Sequence, residues 1–249
     1  MIIDAHTHWP VGLNSDPEAF LSVLDRYGTD MAVVSGWEVF WRPGPVPVST
    51  WNDRLADFCR RSGGRLAPLA TFYLADGREA VHEARRCLEE LGVRGFKFHP
   101  WLQGESIFCE TMYDICRLAA EFKAPILFHD GTPAYSMSSQ VAVLAGLFPG
   151  TPLILGHGGI LHFWEEAIET AARFENILYS LCGQHPWAMQ AACNRLPHSR
   201  LLWGTDYTGP GGEEFIAYRR GLFDGLALAP DVRAAIFSDN PKRVFRLDK

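Results

Sequence analysis

The chain alternates between two hydrophobic periods. Short apolar runs of strand length are each followed by a longer segment whose apolar residues recur at helical spacing. The first run, from Met1 through Ile2-Ile3-Asp4-Ala5-His6-Thr7-His8, precedes a helix capped by Asp16, with Pro17 at its first position, Phe20, Leu21, Leu24 and Tyr27 on one face, and Gly28 as its stop. Met31–Gly36 pairs with a helix through Trp51, Leu55, Phe58 and Cys59, and Leu66–Phe72 with one through Val81, Ala84, Leu88 and Leu91. Arg94–His99 precedes Met112, Ile115, Leu118, Ala119 and Phe122, and Pro125–His129 precedes a helix over Val141–Phe148. Pro152–His157 leads to Trp164, Ile168 and Ala171, Ile177–Leu181 to a weaker helix near Trp187–Arg195, and Arg200–Thr205 to Phe215, Ile216, Arg219 and Leu222. Pro43, Pro45 and Pro47 make the stretch from Trp37 to Ser49 an irregular loop.

Eight strand–helix units in 249 residues give a repeat of about 31, the size of a βα unit, and regular alternation calls for a parallel sheet. Such units close into a (β/α)8 TIM barrel read as a single domain over 1–249, with a short helical tail from about 230. In the tail, Asp239 and Asn240 read as helix caps rather than catalytic groups. A doubly wound open sheet is the alternative, but the first strand lacks the glycine-rich phosphate turn.

Composition narrows the function. Lys and Arg number 23 against 29 Asp and Glu, a net charge of −6, which argues against nucleic-acid binding by phosphate neutralisation. No apolar run has the length of a membrane span and none reads as a signal peptide, so a cytoplasmic protein without membrane partners is expected. The six cysteines form no C-x-x-C pair; most, including Cys59, Cys87 and Cys116, fall at core positions of helices. His82 lies off its helix's apolar stripe and reads as a surface residue.

His6 and His8 are one step apart on a strand and point to the same face, the arrangement by which two imidazoles can reach one metal, and Asp4, two residues earlier, shares that face as a candidate interior support for the strand. Alone the pair is equally compatible with solvated or structural histidines. The other polar residues change this, because each stands at the carboxyl end of a strand: His99 before Pro100, His129 before Asp130-Gly131, His157 before Gly158-Gly159, and Asp206 after Trp203-Gly204-Thr205. In a parallel barrel those ends share the face that carries active sites.

The ordered set Asp4-Ala5-His6-Thr7-His8, Gly95-Phe96-Lys97-Phe98-His99-Pro100, His129, Gly156-His157-Gly158, Leu202-Trp203-Gly204-Thr205-Asp206 and Asp239-Asn240 resembles the amidohydrolase superfamily over the whole chain. Within it, the set is similar to the amidohydrolase-related family of hydrolases and aminocarboxymuconate-semialdehyde-type decarboxylases. The resemblance implies one divalent ion, zinc, on His6, His8, His129 and Asp206, with His157 beside the water it activates. Three imidazoles and a carboxylate suit zinc and leave a position for water, whose pKa zinc brings towards about 7. Asp206 could then move the proton, and His157 orient the water or steady an oxyanion; the alternative for His157 is a core histidine bonded to backbone.

Lys97 lies two residues deeper in its strand than His99. That places His99 nearer the metal, as a substrate or second-layer contact, with Lys97 a paired interior residue and a second metal left open. Trp37, Trp41, Tyr73, Trp101, His185 with Trp187, and Tyr207 follow strands and could line a pocket for a flat or apolar substrate, or simply pack loops; Trp37, Trp101 and Tyr207 are taken with His99 as substrate contacts. The leading expectation is a metal-dependent hydrolase of esters, lactones or amides, its partner a small-molecule substrate, with self-association left open. A non-oxidative decarboxylase is second; it needs a carboxylate anchor, for which the active-face loops offer mainly Arg42. A metal-independent lactonase or ligand-binding barrel is third.

Overall fold

The computed structural model describes residues 1–9, 16–41, 46–209 and 211–247. Arg42, Pro43 and Pro45 lie outside the described residues. The elements run β1 (Ile3–Trp9), α1 (Pro17–Arg26), β2 (Met31–Gly36), α2 (Val48–Arg60), β3 (Leu66–Ala70), α3 (Arg78–Glu89), β4 (Gly95–Phe98), α4 (Pro100–Gln103), α5 (Glu110–Phe122) and β5 (Ile126–Phe128). They continue with α6 (Ser138–Leu147), β6 (Leu153–Leu155), α7 (Trp164–Arg173), β7 (Ile177–Leu181), α8 (Pro186–Arg195), β8 (Leu201–Trp203), α9 (Glu214–Asp224), α10 (Pro230–Ala234) and α11 (Asn240–Phe245).

The eight strands are parallel and ordered β1 to β8. Closure runs through the segment after β8: Asp206 N donates to the His6 carbonyl at 2.9 Å and His8 N to the Tyr207 carbonyl at 2.8 Å. The expected (β/α)8 barrel is therefore the observed one.

Alternation along the strands sorts two cores. Ala5, Val33, Leu69, Leu127, Ile154, Leu178 and Leu202 fill the barrel interior, where Val244 and Phe245 of α11 join them. Their neighbours Phe96, Phe98, Phe128, Leu155, Tyr179 and Trp203 pack outward against the helices. Cys59, Cys87 and Cys116 are buried as expected, and His82 is exposed.

β1 breaks its alternation. It pairs Asp4 with Ala32 but Thr7 with Val34, so one extra residue is accommodated between them. Asp4 consequently sits beside outward-packing Ala32, on the face opposite His8, and not on the face expected from strict two-residue periodicity.

The tail differs from expectation in one respect. Asp239 makes no side-chain cap bond, and Asn240 lies in a continuous run of helix formed by α10, a π turn at Ala235–Asp239 and α11. Buried Asn240 instead donates from Nδ2 to the carbonyls of His198 (2.7 Å) and Leu201 (2.8 Å), tying the tail to the start of β8. Asn240→Ala strands both carbonyls and is expected to destabilise the barrel by about 1–3 kcal/mol, lowering the urea midpoint at unchanged slope. An unaltered midpoint would show that apolar packing alone seats the tail.

Candidate metal centre and active site

The β1 bulge, next to the barrel seam, brings the first two histidines together, with ring centroids 5.3 Å apart. Asp206 meets them from the β8 turn in a left-handed conformation (φ 60°), strained for a non-glycine residue and common at functional sites. Its Oδ1 stands 3.1 Å from His8 Nε2 and 3.5 Å from His6 Nε2. The histidines are buried, whereas the aspartate side chain is 33% exposed and forms the outlet of the group.

Backbone carbonyls orient the rings. A carbonyl can only accept, so His6 Nδ1 donates to the Gly156 carbonyl (3.2 Å), whereas His8 Nδ1 lies between the Gly36 carbonyl (3.1 Å) and the Ser35 hydroxyl (3.0 Å). Both Nε2 atoms face the Asp206 carboxylate, and Lys97 Nζ stands 2.9 Å from that of His6. Two imidazole nitrogens and a carboxylate oxygen thus converge as a donor set that suits a cation. His157 repeats the pattern: Nδ1 donates to the Cys182 carbonyl (3.2 Å), while Nε2 is buried without a hydrogen-bond partner.

The titration tendencies agree. Burial drives the His6 imidazolium well below its usual range and lowers His157 to about 4. For Asp206, burial pushes upward, but attraction to His157, a hydrogen bond from His8 and the neighbouring His6 outweigh it and hold the carboxyl well below the carboxylate range. The donor set of nitrogen and carboxylate oxygen fits a divalent transition metal, and the ligand atoms of His6, His8 and Asp206 all lie within 4.8 Å of one another. His6, His157 and Cys182 form a second such group, sharing His6.

Room and rigidity come from glycines and one carboxylate. A Cβ on Gly204 would fall 2.6 Å from His6 Cβ, and one on Gly156 would lie 2.4 Å from the Phe128 carbonyl and 3.2 Å from His6 Cε1. Asp4, fully buried, accepts from His6 N (3.1 Å), Thr205 N (3.0 Å) and Thr205 Oγ1 (2.5 Å), clamping β1 to the β8 turn. Burial outweighs these bonds and pushes its pKa up to about 7. Asp130 does the same across β5 and β6, accepting from the amides of His157 (2.6 Å) and Gly159 (2.7 Å).

Lys97 corrects one expectation. Although deeper in its strand than His99, it reaches upward to place Nζ 2.9 Å from His6 Nε2, and burial lowers its pKa to about 8. A long side chain makes up the distance that strand position alone suggested would exclude it. His99 instead stacks face to face on His129 at 3.7 Å, and the ring nitrogens of both fall outside the two close groups. His129 is linked to the centre through His157, 4.4 Å away between centroids.

Of the aromatic contacts expected from the sequence, Trp37 lies 5.1 Å from His8 and Trp101 6.1 Å from His99, both at the mouth. Tyr207 is not there. Its ring is buried on Phe20 of α1, and only its backbone joins the site, through the bond from His8 N. Tyr73 gives its hydroxyl to the Val39 carbonyl (2.7 Å) and so pins a loop, while Trp187 is exposed and stacked on His185.

Three groups near the site were not singled out for it from the sequence. Cys182 directly follows β7, so the strand-end rule applied to that strand would have found it. Asp130 adjoins His129 and reads as a turn residue. Arg219 sits on the stripe that includes buried Ile216 and Phe223 of α9, a cation in an apolar pattern; its Nη1 and Nη2 both lie 3.7 Å from where a Gly183 Cβ would stand, as does His157 Nδ1.

A parallel barrel with an imidazole–carboxylate centre at the strand ends defines a class of metal-site enzymes. The profile described as Amidohydrolase matches residues 3–247, and the chain belongs to that family. It is an enzyme of the amidohydrolase superfamily. A 2-keto-4-carboxy-3-hexenedioate hydratase from a Sphingobium species is 22% identical over 216 residues, 70% of this chain and 63% of the hydratase, less than two thirds of that relative's length. Similar structures include a 2,6-dihydroxybenzoate decarboxylase from Rhizobium (18% identity, TM-score 0.74, covering 100% of this chain and 99% of that one). Another is a 5-carboxyvanillate decarboxylase from Novosphingobium aromaticivorans complexed with manganese (14% identity, TM-score 0.76, 99% and 96% covered). At these identities the structural likeness establishes the shared fold. No helix among the described residues is long and apolar enough to cross a membrane.

Gly204→Ala is expected to push His6 off its position and lower divalent-metal affinity by about 10–100-fold while the barrel still melts cooperatively. Unchanged affinity in a metal titration would show that the His6 ring is not held by this contact.

Proposed function

We propose that the chain is a metal-dependent hydrolase acting on an ester, lactone or amide carbonyl. The observation that carries this reading is the convergence of His6 Nε2, His8 Nε2 and Asp206 Oδ1 at the carboxyl ends of the strands. These three residues would hold one divalent ion, zinc by their chemistry, with His129, which reaches the centre through His157, the fourth candidate ligand; the manganese in the carboxyvanillate decarboxylase leaves the metal's identity to measurement. An ion there supplies Lewis acidity, acidifying water and polarising a carbonyl oxygen.

The remaining steps belong to the side chains. Asp206, ionised and partly exposed, takes the proton from the attacking water and returns it to the leaving group. His157, neutral near pH 7 with Nδ1 already donating, offers Nε2 only as an acceptor. It therefore orients the water, and the alternative role of donating to an oxyanion is the weaker one. Trp37, Trp101 and His99 would bound the substrate on the β2–β4 side.

His6→Ala is expected to abolish metal binding and activity while leaving a folded barrel, followed by elemental analysis and thermal unfolding. Full metal occupancy in that variant would refute the assignment. Activity that survives chelation with no bound metal would instead favour the metal-independent lactonase.

Non-oxidative decarboxylation is the second reading, favoured by the guanidinium of Arg219 near His157 and by two structural relatives whose names are those of decarboxylases. Aromatic carboxylates incubated with metal-loaded enzyme and assayed for carbon dioxide separate the two: release without ester or lactone turnover would displace the hydrolase reading.

A further inference from the structure

One cysteine stands apart from the others. Cys59, Cys87, Cys116 and Cys193 lie within α2, α3, α5 and α8, where they pack as small apolar residues, and Cys109 immediately precedes α5. Cys182 instead follows β7 directly, at the strand end that faces the centre. Leu178 fills the barrel interior, and the alternation carried on from it brings Ser180 and then Cys182 to the same side. Cys182 is fully buried there, and its carbonyl accepts the hydrogen bond of His157 Nδ1 (3.2 Å), which ties the end of β7 to the imidazole after β6.

Cys182 Sγ and one ring nitrogen from each of His6 and His157 all lie within 4.8 Å of one another. Both imidazoles spend Nδ1 on a backbone carbonyl, so Nε2 is the atom each has left for a ligand. That of His157 is buried without a hydrogen-bond partner, a costly state for a polar atom unless something completes it. The neighbouring group of His6, His8 and Asp206 offers nitrogen and oxygen, whereas this one offers nitrogen and sulfur. His6 belongs to both, and one ring nitrogen binds one ion, so the two groups are alternative positions for a single ion. Thiolate sulfur favours soft cations and carboxylate oxygen favours hard ones.

We propose that Cys182 is a metal ligand that sorts cations within the centre: a thiophilic ion such as cadmium settles on Cys182, His157 and His6, while an oxygen-seeking ion such as manganese takes His6, His8 and Asp206. This rests on the reading of His6 as a metal ligand. The thiol gives up its proton to solvent as the soft ion binds. An ion held on sulfur leaves His8 and Asp206 uncoordinated, so soft cations occupy the centre without completing the catalytic group and inhibit the enzyme. Zinc suits both donor sets, which makes cadmium and manganese the discriminating probes.

The test is ultraviolet absorption during titration of the full chain with cadmium, because thiolate coordination adds a sulfur-to-metal charge-transfer band. The unaltered protein is expected to show the band, saturating at a single ion per chain. Cys182→Ser removes Sγ and keeps the backbone carbonyl that holds His157, so the band should vanish while manganese affinity, followed by electron paramagnetic resonance, stays unchanged. Asp206→Asn should do the converse, keeping the band and weakening manganese binding about tenfold or more. No band in the unaltered protein, a band that survives Cys182→Ser, or one lost in folded Asp206→Asn overturns the proposal. Manganese binding without a cadmium–thiolate band refutes only the sulfur position, and protein that binds neither ion refutes the metal centre itself. Titration of the unaltered protein decides between these even where a variant fails to fold.

Discussion

Two imidazoles and a carboxylate meet at one point in this barrel, and much of the surrounding structure serves to keep them there. His6 spends Nδ1 on the Gly156 carbonyl, which leaves its Nε2 an acceptor turned towards Asp206, and His8 Nε2 stands 3.1 Å from the same carboxylate. In a low-dielectric interior such a cluster is unfavourable by itself. Lys97 relieves part of it by donating to His6 Nε2, yet its own charge is buried and its pKa lowered. The centre is thus poised for a cation, at a cost met by the packing around it.

That packing is rigid because it is shared between strands far apart in sequence. Asp4 binds the amides of His6 and Thr205 together, and the seam bonds of Asp206 and His8 close the ring within the same few residues. Closure and site assembly are one event: the barrel cannot close correctly without bringing Asp206 to the two histidines. Gly204 and Gly156 fit the same logic, since their missing side chains are the space His6 occupies. Asp130 performs for His157 the service that Asp4 performs for His6.

The family assignment and the site's geometry reach different depths. Membership of the amidohydrolase family fixes an enzyme on a (β/α)8 scaffold, while structural relatives at 14–18% identity share the fold and need not share a reaction. What separates hydrolysis from decarboxylation on such a scaffold is which groups hold the substrate. The orphaned Nε2 of His157 faces that question directly, since it can receive a hydrogen bond from water.

Much was legible in the chain itself. The switch between two-residue and helical periods set out eight units, and because parallel strands put their carboxyl ends on one face, the positions of His6, His8, His99, His129, His157 and Asp206 implied a common face, although His99 and His129 fall outside the two close ligand groups. Those are local signals, carried by neighbours in sequence. The tertiary structure decided what depends on side-chain reach and on contacts across the barrel. Strand position placed Lys97 too deep, and a long flexible side chain brought it to His6. Strict alternation put Asp4 on the face of His8, and a bulge moved it to the other. Tyr207 follows β8 as a pocket residue would, yet Phe20 of α1 draws its ring into the core. The orientations of three imidazoles were fixed by carbonyls of Gly36, Gly156 and Cys182, partners that exist only once distant strands lie side by side.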